Sequence, residues 1–440
     1  MIQFNSTRKK SNPVSFEDAA RKGLAPDGGL YMPESIPLLD SGFLQSLPEK
    51  GIAEIGYEVA RHFIETEVNE QQLKTVTNGA ISFDAPLRTL KDDIYILELF
   101  HGPTLAFKDY GARFMARLVA QIDDKQEKDL VVLVATSGDT GSAVAHGFYG
   151  VEGTHVCLLY PEGKVSPVQE QQMTTLGGNI TAIEVKGVFD DCQKLVKQAF
   201  SDEALNNKLR LSSANSINIA RLLPQSFYYF SAYGQLQKLS GKSQSPVFSV
   251  PSGNFGNLTA GLMAMKMGLP LSRFLAATNL NDVVPEYLQT GTYRPRPSEA
   301  TIANAMDVGR PSNFERIRSL FNGSHEELNN WLYGASFSDF SIMEGISRVY
   351  KTTGYLMDPH TAVGYLAVEK YRQETGSDEP AIVLSTAHPA KFGETVNKVI
   401  DKEVEVPDRL QACMNKKKLT KKMNAGYREL RDFLLMRYQK

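Results

Sequence analysis

From about residue 94, the chain alternates short apolar runs with longer stretches whose apolar residues have helical spacing. The runs are rich in β-branched residues and end in turns of glycine or serine, which is typical of βα units. Most of them are continuously apolar, as expected of strands buried on both faces of a parallel sheet. The predicted strands cover residues 94–99, 130–135, 155–160, 180–185, 246–250, 274–278 and 381–384. The pattern therefore predicts an α/β fold with mostly parallel open sheets flanked by helices.

The same pattern divides the chain into regions. Residues 1–90 have a polar start, a turn-rich segment and two helix-like stretches, which indicates an N-terminal subdomain. Residues 91–390 form the predicted α/β region, with two interleaved subdomains. Within that region the strand pattern pauses over about 285–375, which we interpret as a helical insertion. Residues 391–440 are predicted to form a C-terminal helical tail.

Charge and composition indicate which binding partners and which cellular compartment to expect. The chain has 440 residues, of which 48 are basic and 50 acidic, so we expect no nucleic-acid partner and no anionic membrane surface. Its first twenty residues are polar, and its apolar runs are far shorter than the ~18 residues that span a bilayer. Three separated cysteines give neither a CxxC pair nor a disulfide framework, which favours a reduced, cytoplasmic setting.

A run of lysines near the C-terminus is the strongest local concentration of charge. It consists of Lys416, Lys417, Lys418, Lys421 and Lys422. Such a run can contact an anion or a nucleic acid, but in a chain of balanced charge it is more often a solvated helix face. We interpret it in the second way.

Several familiar catalytic patterns do not occur in the sequence. The P-loop pattern GxxxxGK[ST], a GxGxxG turn after a strand, HExxH and the GxSxG elbow are all missing. The seven histidines include no closely spaced pair, so no metal site is predicted. What remains are three loops that directly follow apolar runs, the place where open α/β sheets bind ligands.

Two of these loops are suited to anions. The segment VATSGDTGS (134–142) runs from a strand through a glycine turn into a helix, and VPSGNFGNL (250–258) does the same. Backbone N–H groups at such turns bind phosphate or carboxylate groups, although turn and cap chemistry alone explains the same composition. Together the two loops predict a phosphorylated cofactor and a second anionic ligand.

The third loop, FHGPTLAFKD (100–109), places Lys108 at the predicted start of a helix. A lysine in partly apolar surroundings has a lowered pKa, which makes it a candidate nucleophile. A solvent-exposed lysine near a helix start is the ordinary alternative. Position alone favours that alternative. Helix N-termini disfavour cations, however, so a lysine there is either poorly placed or neutralised by chemistry, and an imine fits the second case.

Taken together, the motifs resemble threonine synthases of the long bacterial and fungal type. The resemblance runs in order from Ser6 to Phe392 through STR, VSFEDA, GLAPDGGLY, HGPTLAFKD, ATSGDTG, SANSINIARLLPQ, PSGNFGN, NAMDVGRPSNF and STAHPAKF. It implies an enzyme of the tryptophan synthase β fold type, pyridoxal phosphate fold type II, with pyridoxal 5′-phosphate between two domains. The implied reaction converts O-phospho-L-homoserine and water to L-threonine and phosphate by γ-elimination and β-addition of water, which makes the enzyme a carbon–oxygen lyase of threonine biosynthesis.

The resemblance also implies which residues bind the cofactor. Lys108 matches the lysine that binds it covalently and acts as the catalytic base, and Thr386 matches the hydroxyl that faces the pyridine nitrogen. Asp139 stands where this fold type commonly places an Asn against the cofactor O3′, so a protonated carboxyl or a water bridge is expected there instead. The cofactor phosphate is expected to bind Gly253, Asn254, Phe255, Gly256 and Asn257.

The implied substrate site comes from two segments. Its predicted residues are Thr136, Ser137, Thr140, Asn215, Ser216 and Arg221.

A lyase of the same fold, either a phosphohomoserine phospholyase or a serine or threonine dehydratase, is the alternative function. Long-type relatives are consistent with a monomer. For His101, Asp109 and His388, which border these motifs, capping and loop hydrogen bonds explain the sequence at least as well as proton transfer.

Overall fold

The computed structural model describes residues 2–64, 66–122, 128–136, 138–241 and 243–439. The strands are β1 (Phe4–Ser6), β2 (Tyr31–Pro33), β3 (Leu87–Lys91), β4 (Ile94–Glu98), β5 (Leu130–Ala135), β6 (Thr154–Pro161), β7 (Ile180–Lys186), β8 (Arg210–Ser212), β9 (Val247–Pro251), β10 (Arg273–Thr278), β11 (Leu332–Ser336), β12 (Ala381–Ser385) and β13 (Thr420–Asn424). The helices are α1 (Phe16–Lys22), α2 (Ser41–Ser46), α3 (Ile52–Ile64), α4 (Glu70–Ala80), α5 (Lys108–Ile122), α6 (Asp139–Phe148), α7 (Pro167–Thr174), α8 (Phe189–Ser201), α9 (Glu203–Asn206), α10 (Ile219–Leu222), α11 (Phe227–Ser240), α12 (Gly256–Lys266), α13 (Val283–Thr290), α14 (Phe314–Leu320), α15 (His325–Trp331), α16 (Asp339–Thr353), α17 (Pro359–Thr375), α18 (Gly393–Ile400), α19 (Asp408–Met414) and α20 (Tyr427–Tyr438). Short 3₁₀ turns lie at Leu47–Glu49, Leu223–Ser226, Asn304–Met306 and Pro389–Phe392.

A six-stranded sheet has the order β11-β10-β9-β12-β4-β3. Its pairs are parallel except β3 with β4, which is antiparallel. The central strand β12 lies between β9 and β4, although it is the last of the six in the chain. Four of the predicted strands are found here, as β4, β9, β10 and β12.

A five-stranded sheet has the order β13-β7-β6-β5-β8, and all of its pairs are parallel. The other three predicted strands are found here, as β5, β6 and β7. The predicted α/β architecture is thus confirmed, with two mostly parallel sheets flanked by helices.

Two regions differ from the sequence-based expectation of helix alone. The segment 285–375 also contains β11, which extends the six-stranded sheet beside β10. The tail contains β13, which pairs with β7, so Lys421 and Lys422 lie on an edge strand and not on a helix face. Both lysines are exposed, and Lys422 Nζ lies 2.6 Å from a carboxylate oxygen of Glu162.

The N-terminal region packs on the same core as the sheets. The two-stranded sheet β1-β2 and helices α1, α3 and α4 contribute buried side chains such as Phe4 and Phe16. Local signals start the helices: Asn69 and Gln72 form a capping box at α4, and Ser166 caps α7 with Pro167 in its first turn. None of the described helices is both long and apolar enough to cross a membrane.

Candidate active site

Two of the predicted loops, those after β4 and β9, leave the same edge of the six-stranded sheet as the segment that follows β12. Strands β4, β12 and β9 are adjacent and parallel, so the segments that follow them leave the sheet on the same side. Two backbone hydrogen bonds join the segment before Lys108 to the segment after β12: Phe107 N–H donates to the Thr386 carbonyl over 2.9 Å, and His388 N–H donates to the Leu105 carbonyl over 3.1 Å. The predicted Lys108 and Thr386 are therefore brought together.

Lys108 is the first residue of α5, and its side chain is largely buried. Its Nζ lies 3.9 Å from Oδ2 of Asp139, the first residue of α6. Burial lowers the pKa of Lys108; the carboxylate of Asp139 opposes this effect, whereas the cations Lys391 and Arg221 add to it. A less basic amine is what a lysine nucleophile or base requires.

Asp139 is bound by a second lysine that the sequence reasoning did not identify. Lys391 Nζ lies 2.5 Å from Asp139 Oδ1, and Gln169 Nε2 donates to the same oxygen over 2.9 Å. Burial alone would raise the pKa of Asp139, but Lys391, Lys108 and Gln169 hold it well below its usual range. The structure thus pairs Asp139 with Lys391, and the contact of its carboxyl with the cofactor O3′, direct or through water, stays a prediction.

The first glycine loop is organised around Thr136. Its Oγ1 accepts from the N–H groups of Gly138 over 3.1 Å and Gly141 over 2.8 Å, which shapes the turn into α6. Thr140 lies half-buried in the first turn of that helix. The predicted Ser137 lies outside the described residues. Turn and cap chemistry accounts for the hydroxyl of Thr136, and its substrate role stays a prediction.

The second glycine loop is hydrogen-bonded to the predicted substrate loop. Asn254 Nδ2 donates to Ser216 Oγ over 2.6 Å. The fully buried Asn313 bridges the same loops, because its Nδ2 donates to the Asn254 carbonyl over 3.1 Å and the Ser216 carbonyl over 3.4 Å. Predicted cofactor and substrate residues therefore share one hydrogen-bond network, which Arg316 joins by donating to Asn313 Oδ1 over 2.8 Å. The half-buried Asn215 lies next to it in the chain.

The rest of the second loop starts α12. Phe255 has a left-handed backbone with φ of 60°, and α12 begins at Gly256. At Gly253 a Cβ would lie 2.7 Å from the carbonyl oxygen of Ala305, so the close approach of two backbones requires glycine there. Asn257 is buried, and its Oδ1 accepts from two tyrosine hydroxyls, while its Nδ2 has no hydrogen-bond partner among the described residues.

Two buried guanidinium groups lie near these loops. Arg221, on α10, donates from Nη1 to the Ala214 carbonyl over 2.5 Å, and its buried Nε has no hydrogen-bond partner in the described ranges of the chain. Burial lowers the pKa of Arg221 to about 10. Arg316 is fully buried and donates to the carbonyls of Tyr31 and Ile217. Burial lowers the pKa of Arg316 to about 9.

The three residues that border the motifs make local contacts. His101 Nε2 lies 2.9 Å from Glu98 Oε2, and His388 Nδ1 accepts from the Ala390 N–H over 3.2 Å. Asp109 is fully buried and accepts from the N–H and hydroxyl of Thr104. Burial raises the pKa of Asp109 to about 6, against the lowering effect of those hydrogen bonds. These contacts agree with the loop and capping interpretation.

Sequence reasoning missed Lys391, Gln169, Asn313 and Arg316. Two of the motifs already contained a signal for them, since Lys391 is the penultimate residue of STAHPAKF and Asn313 lies in NAMDVGRPSNF. Each is a buried polar side chain, and buried polar groups need partners. The sequence alone does not show which partners these are.

Comparison with known proteins identifies the family. The family model described as pyridoxal-phosphate dependent enzyme matches residues 81–387, and those described as threonine synthase N terminus and threonine synthase, C-terminal match residues 3–81 and 361–434. A threonine synthase of Haemophilus influenzae is 44% identical over 422 residues, which cover 96% of this chain and 97% of the relative. The chain belongs to the threonine synthase family.

Solved threonine synthase structures have the same fold over the whole chain. The crystal structure of threonine synthase from Escherichia coli has a TM-score of 0.91 and 41% identity, and the match covers 99% of both chains. The pyridoxal-phosphate-bound threonine synthase from Brucella melitensis has a TM-score of 0.92 and 32% identity, and the match covers 100% of both chains.

These similarities confirm the predicted family, the fold type, the threonine synthase function and the lyase class. They also confirm pyridoxal phosphate as the cofactor and support a small-molecule substrate. The alternative of a phospholyase or dehydratase is not favoured, because the relatives are threonine synthases.

Proposed function

We propose that this threonine synthase converts O-phospho-L-homoserine and water to L-threonine and phosphate at the edge formed by β4, β9 and β12, with Lys108 as the catalytic residue. One observation carries the proposal: Lys108 is largely buried at the point where the predicted loops meet, with Asp139 3.9 Å away. Two cations, Lys391 and Arg221, also act on its amine. Burial and neighbouring cations favour a neutral amine, which is the reactive form of lysine.

The residues at this edge fit pyridoxal phosphate. Within the part of the chain that the structure describes, the buried Asn257 Nδ2 has no hydrogen-bond partner, which makes it available to an anionic oxygen. At Gly256 a Cβ would lie 3.4 Å from Asn313 Nδ2 and 3.6 Å from Ser216 Cβ, so a side chain there would fill the space beside the loop. We propose that the loop from Gly253 to Asn257 binds the cofactor phosphate at the start of α12.

The remaining cofactor contacts follow the edge of the sheet. Thr386, which is buried and directly follows β12, would hold the pyridine nitrogen, and Lys108 would bind the cofactor covalently. Asp139 lies beside Lys108 as a carboxylate paired with Lys391. When bound, pyridoxal phosphate supplies the electron sink, and the protein supplies orientation and proton transfer. In this role Lys108 Nζ moves protons at the substrate Cα and Cβ.

The substrate phosphate would bind on the side of Arg221. Its guanidinium is bonded to a neutral carbonyl, which leaves its positive charge available to a dianion. Asn215 and Ser216 lie in the segment that leads to α10, and Thr140 lies in the first turn of α6. The predicted substrate residues Thr136 and Ser137 lie in the same glycine loop as Thr140. We propose that these residues hold the carboxylate and the phosphate of phosphohomoserine.

Product identification tests the reaction. The purified protein with pyridoxal phosphate is incubated with O-phospho-L-homoserine, and the organic product is identified by mass spectrometry. We expect L-threonine together with one phosphate per turnover. Accumulation of 2-oxobutyrate in place of threonine would instead show a phospholyase and overturn the proposed addition of water.

A covalent trap tests the role of Lys108. Borohydride reduction of the wild type should fix the cofactor on the peptide that contains Lys108, whereas Lys108→Ala should lose both the trapped peptide and turnover. Lys164→Ala, at a surface lysine, serves as the matched control and should retain both. A trapped cofactor in the Lys108→Ala protein would assign the covalent bond to another lysine.

We further propose a cytoplasmic monomer that needs no nucleic acid or membrane, with an N-terminal subdomain at 1–90, a catalytic region at 91–390 and a tail at 391–440. The balance of 48 basic and 50 acidic residues and the three buried free cysteines support this setting. Light scattering coupled to gel filtration tests the oligomeric state, and a mass near 48.7 kDa is the expected result. A mass twice that value would show a dimer.

A further inference from the structure

Lys391 is a fully buried lysine to which the proposed reaction has so far given no role. It lies on the 3₁₀ turn Pro389–Phe392, five residues after Thr386, and none of its side chain is exposed. Its Nζ lies 2.5 Å from Asp139 Oδ1 and 2.8 Å from the Thr104 carbonyl oxygen. A lysine is rarely buried unless it is paired, so the position of Lys391 calls for an explanation.

The pairing divides the two oxygens of Asp139 between two lysines. Oδ1 receives Lys391 and the amide of Gln169, whereas Oδ2 faces Lys108 across 3.9 Å. Lys391 is therefore closer to the carboxylate of Asp139 than Lys108 is, and it offsets part of the negative charge of that carboxylate. If Lys391 were removed, that charge would act on Lys108 alone.

We propose that Lys391 is a positioning residue that anchors Asp139 through one oxygen and sets how much of its negative charge reaches Lys108. The inference rests on the proposed role of Lys108 and adds to it a second lysine, which makes no direct contact with the first. Asp139 is the link, because it is the first residue of α6 and both lysines approach it from other elements.

Charged groups from three other elements act on Lys108. Asp139 on α6, Lys391 on the 3₁₀ turn and Arg221 on α10 act on Lys108. Lys391 in turn acts on a set of nearby titratable groups: Asp109 on α5, His146 on α6 and His388 beside its own turn. The directions agree with the geometry, since the pKa of Asp139 is held low and that of Lys108 is lowered.

The bond from Lys391 to Thr104 allows a simpler role, namely support of the loop before Lys108. Gln172 Nε2 also donates to the Thr104 carbonyl, over 3.1 Å, so this oxygen keeps a partner without Lys391. A supporting role would lower stability on substitution but leave the protonation of Lys108 unchanged. The two roles are therefore separated by a measurement of protonation.

The experiment is a pH titration of the absorbance of the cofactor bound in the holoenzyme, which reports the protonation of the bond between cofactor and Lys108. In Lys391→Gln we expect the midpoint to rise by roughly 1–3 pH units, because an unpaired carboxylate near an amine stabilises its protonated form. A wild-type midpoint in Lys391→Gln, even with a lower melting temperature, overturns the proposal.

Two further variants, in which the carboxylate of Asp139 is replaced by an amide, keep the test decisive if Lys391→Gln does not fold. We expect Asp139→Asn to lower the midpoint, because Lys391 then acts on Lys108 without a counterion. The double variant Asp139→Asn with Lys391→Gln should return toward the wild type by about one unit or more. Equal midpoints in the single Asp139→Asn and the double variant would show that Lys391 has no influence on Lys108, which also overturns the proposal.

The proposed function fails in a different way. If Lys108 does not bind the cofactor, the Lys108→Ala protein keeps a pH-dependent cofactor band, whatever stands at position 391. A band that is lost in Lys108→Ala but unmoved in the Lys391 variants leaves the proposed function intact and contradicts only the role of Lys391.

Discussion

The two sides of the candidate site hold buried charge in different ways. Around Lys108, the cation of Lys391 is bonded directly to the carboxylate of Asp139. Around the glycine loop, Arg221 donates to the Ala214 carbonyl and Arg316 to the Tyr31 and Ile217 carbonyls. We call the first the ion-paired side and the second the guanidinium side. Both are buried, but only the first pairs its charges directly.

We propose that this difference determines where an anion binds. On the ion-paired side, the carboxylate offsets the cations, so little net charge remains and the protonation of Lys108 depends on a fine balance. On the guanidinium side, Arg221 and Arg316 donate to neutral carbonyl and amide oxygens and form no ion pair among the described residues, and we propose that a phosphate dianion binds there. Substitutions on the two sides should therefore have different effects. Those on the ion-paired side should lower stability, and those on the guanidinium side should weaken substrate binding.

The largest effect is expected from Lys391→Met. Removing one partner of a buried ion pair leaves the carboxylate of Asp139 buried without its counterion, which costs about 3–5 kcal/mol of unfolding free energy. Urea unfolding of the holoenzyme measures this loss. Lys422→Met removes an exposed ion pair to Glu162 and should leave the unfolding midpoint unchanged. Equal midpoints for the two variants would contradict the distinction between buried and exposed pairs.

The second-largest effect is expected at Asp109, on the ion-paired side. Its carboxylate accepts hydrogen bonds from Thr104. Burial raises the pKa of Asp109 from 3.8 to about 6, so the folded state binds its proton more tightly than the unfolded state. Its contribution to stability is therefore full below pH 4 and is lost as the pH rises through 6.

Relative to Asp109→Asn, the unfolding free energy of the wild type should fall on the order of 2–3 kcal/mol between about pH 4 and pH 7. Urea unfolding at a series of pH values measures the difference. Asp378→Asn, at an exposed loop residue, should show no such pH dependence. A constant difference between wild type and Asp109→Asn would show that the carboxyl is ionised throughout.

On the guanidinium side, Arg221→Ala should affect catalysis more than stability. Charge-assisted hydrogen bonds to a phosphate are worth roughly 1.5–3 kcal/mol, so kcat/KM for O-phospho-L-homoserine should fall roughly 10- to 150-fold. Steady-state kinetics at fixed cofactor concentration measures the fall. Arg294→Ala, at a largely exposed arginine, should keep the wild-type value. Unchanged kinetics in Arg221→Ala would remove this residue from the substrate site.

The smallest effect is expected where the two loops meet through neutral groups. Ser216→Ala removes the hydroxyl that accepts from Asn254 Nδ2, a bond worth about 0.5–1.5 kcal/mol. The melting temperature of the holoenzyme should fall accordingly, whereas Ser41→Ala at an exposed serine should leave it unchanged. A loss as large as that of Lys391→Met would show that neutral contacts carry as much stability as the buried ion pair.

The interior strands were predictable because burial on both faces makes them continuously apolar, as in LVVLVA of β5. Strand β13 was not, since its sequence TKKMN exposes two lysines at a sheet edge and buries only Met423. Lys108 stood out because of its place at the start of a helix after an apolar turn. Lys391 did not, because its charge is explained only by Asp139, which lies far away in the sequence and close in the fold.

The order of strands in the six-stranded sheet has a consequence for synthesis. The central strand β12 is the last of the six to be translated, and it pairs with β9 on one side and β4 on the other. Until residue 385 has left the ribosome, the nascent chain holds two separate strand groups, each with an open edge. When β12 pairs with both groups, it joins segments that are distant in sequence. Pairing of this kind is slow in folding. Lys108 and Thr386 therefore meet only when synthesis is almost complete.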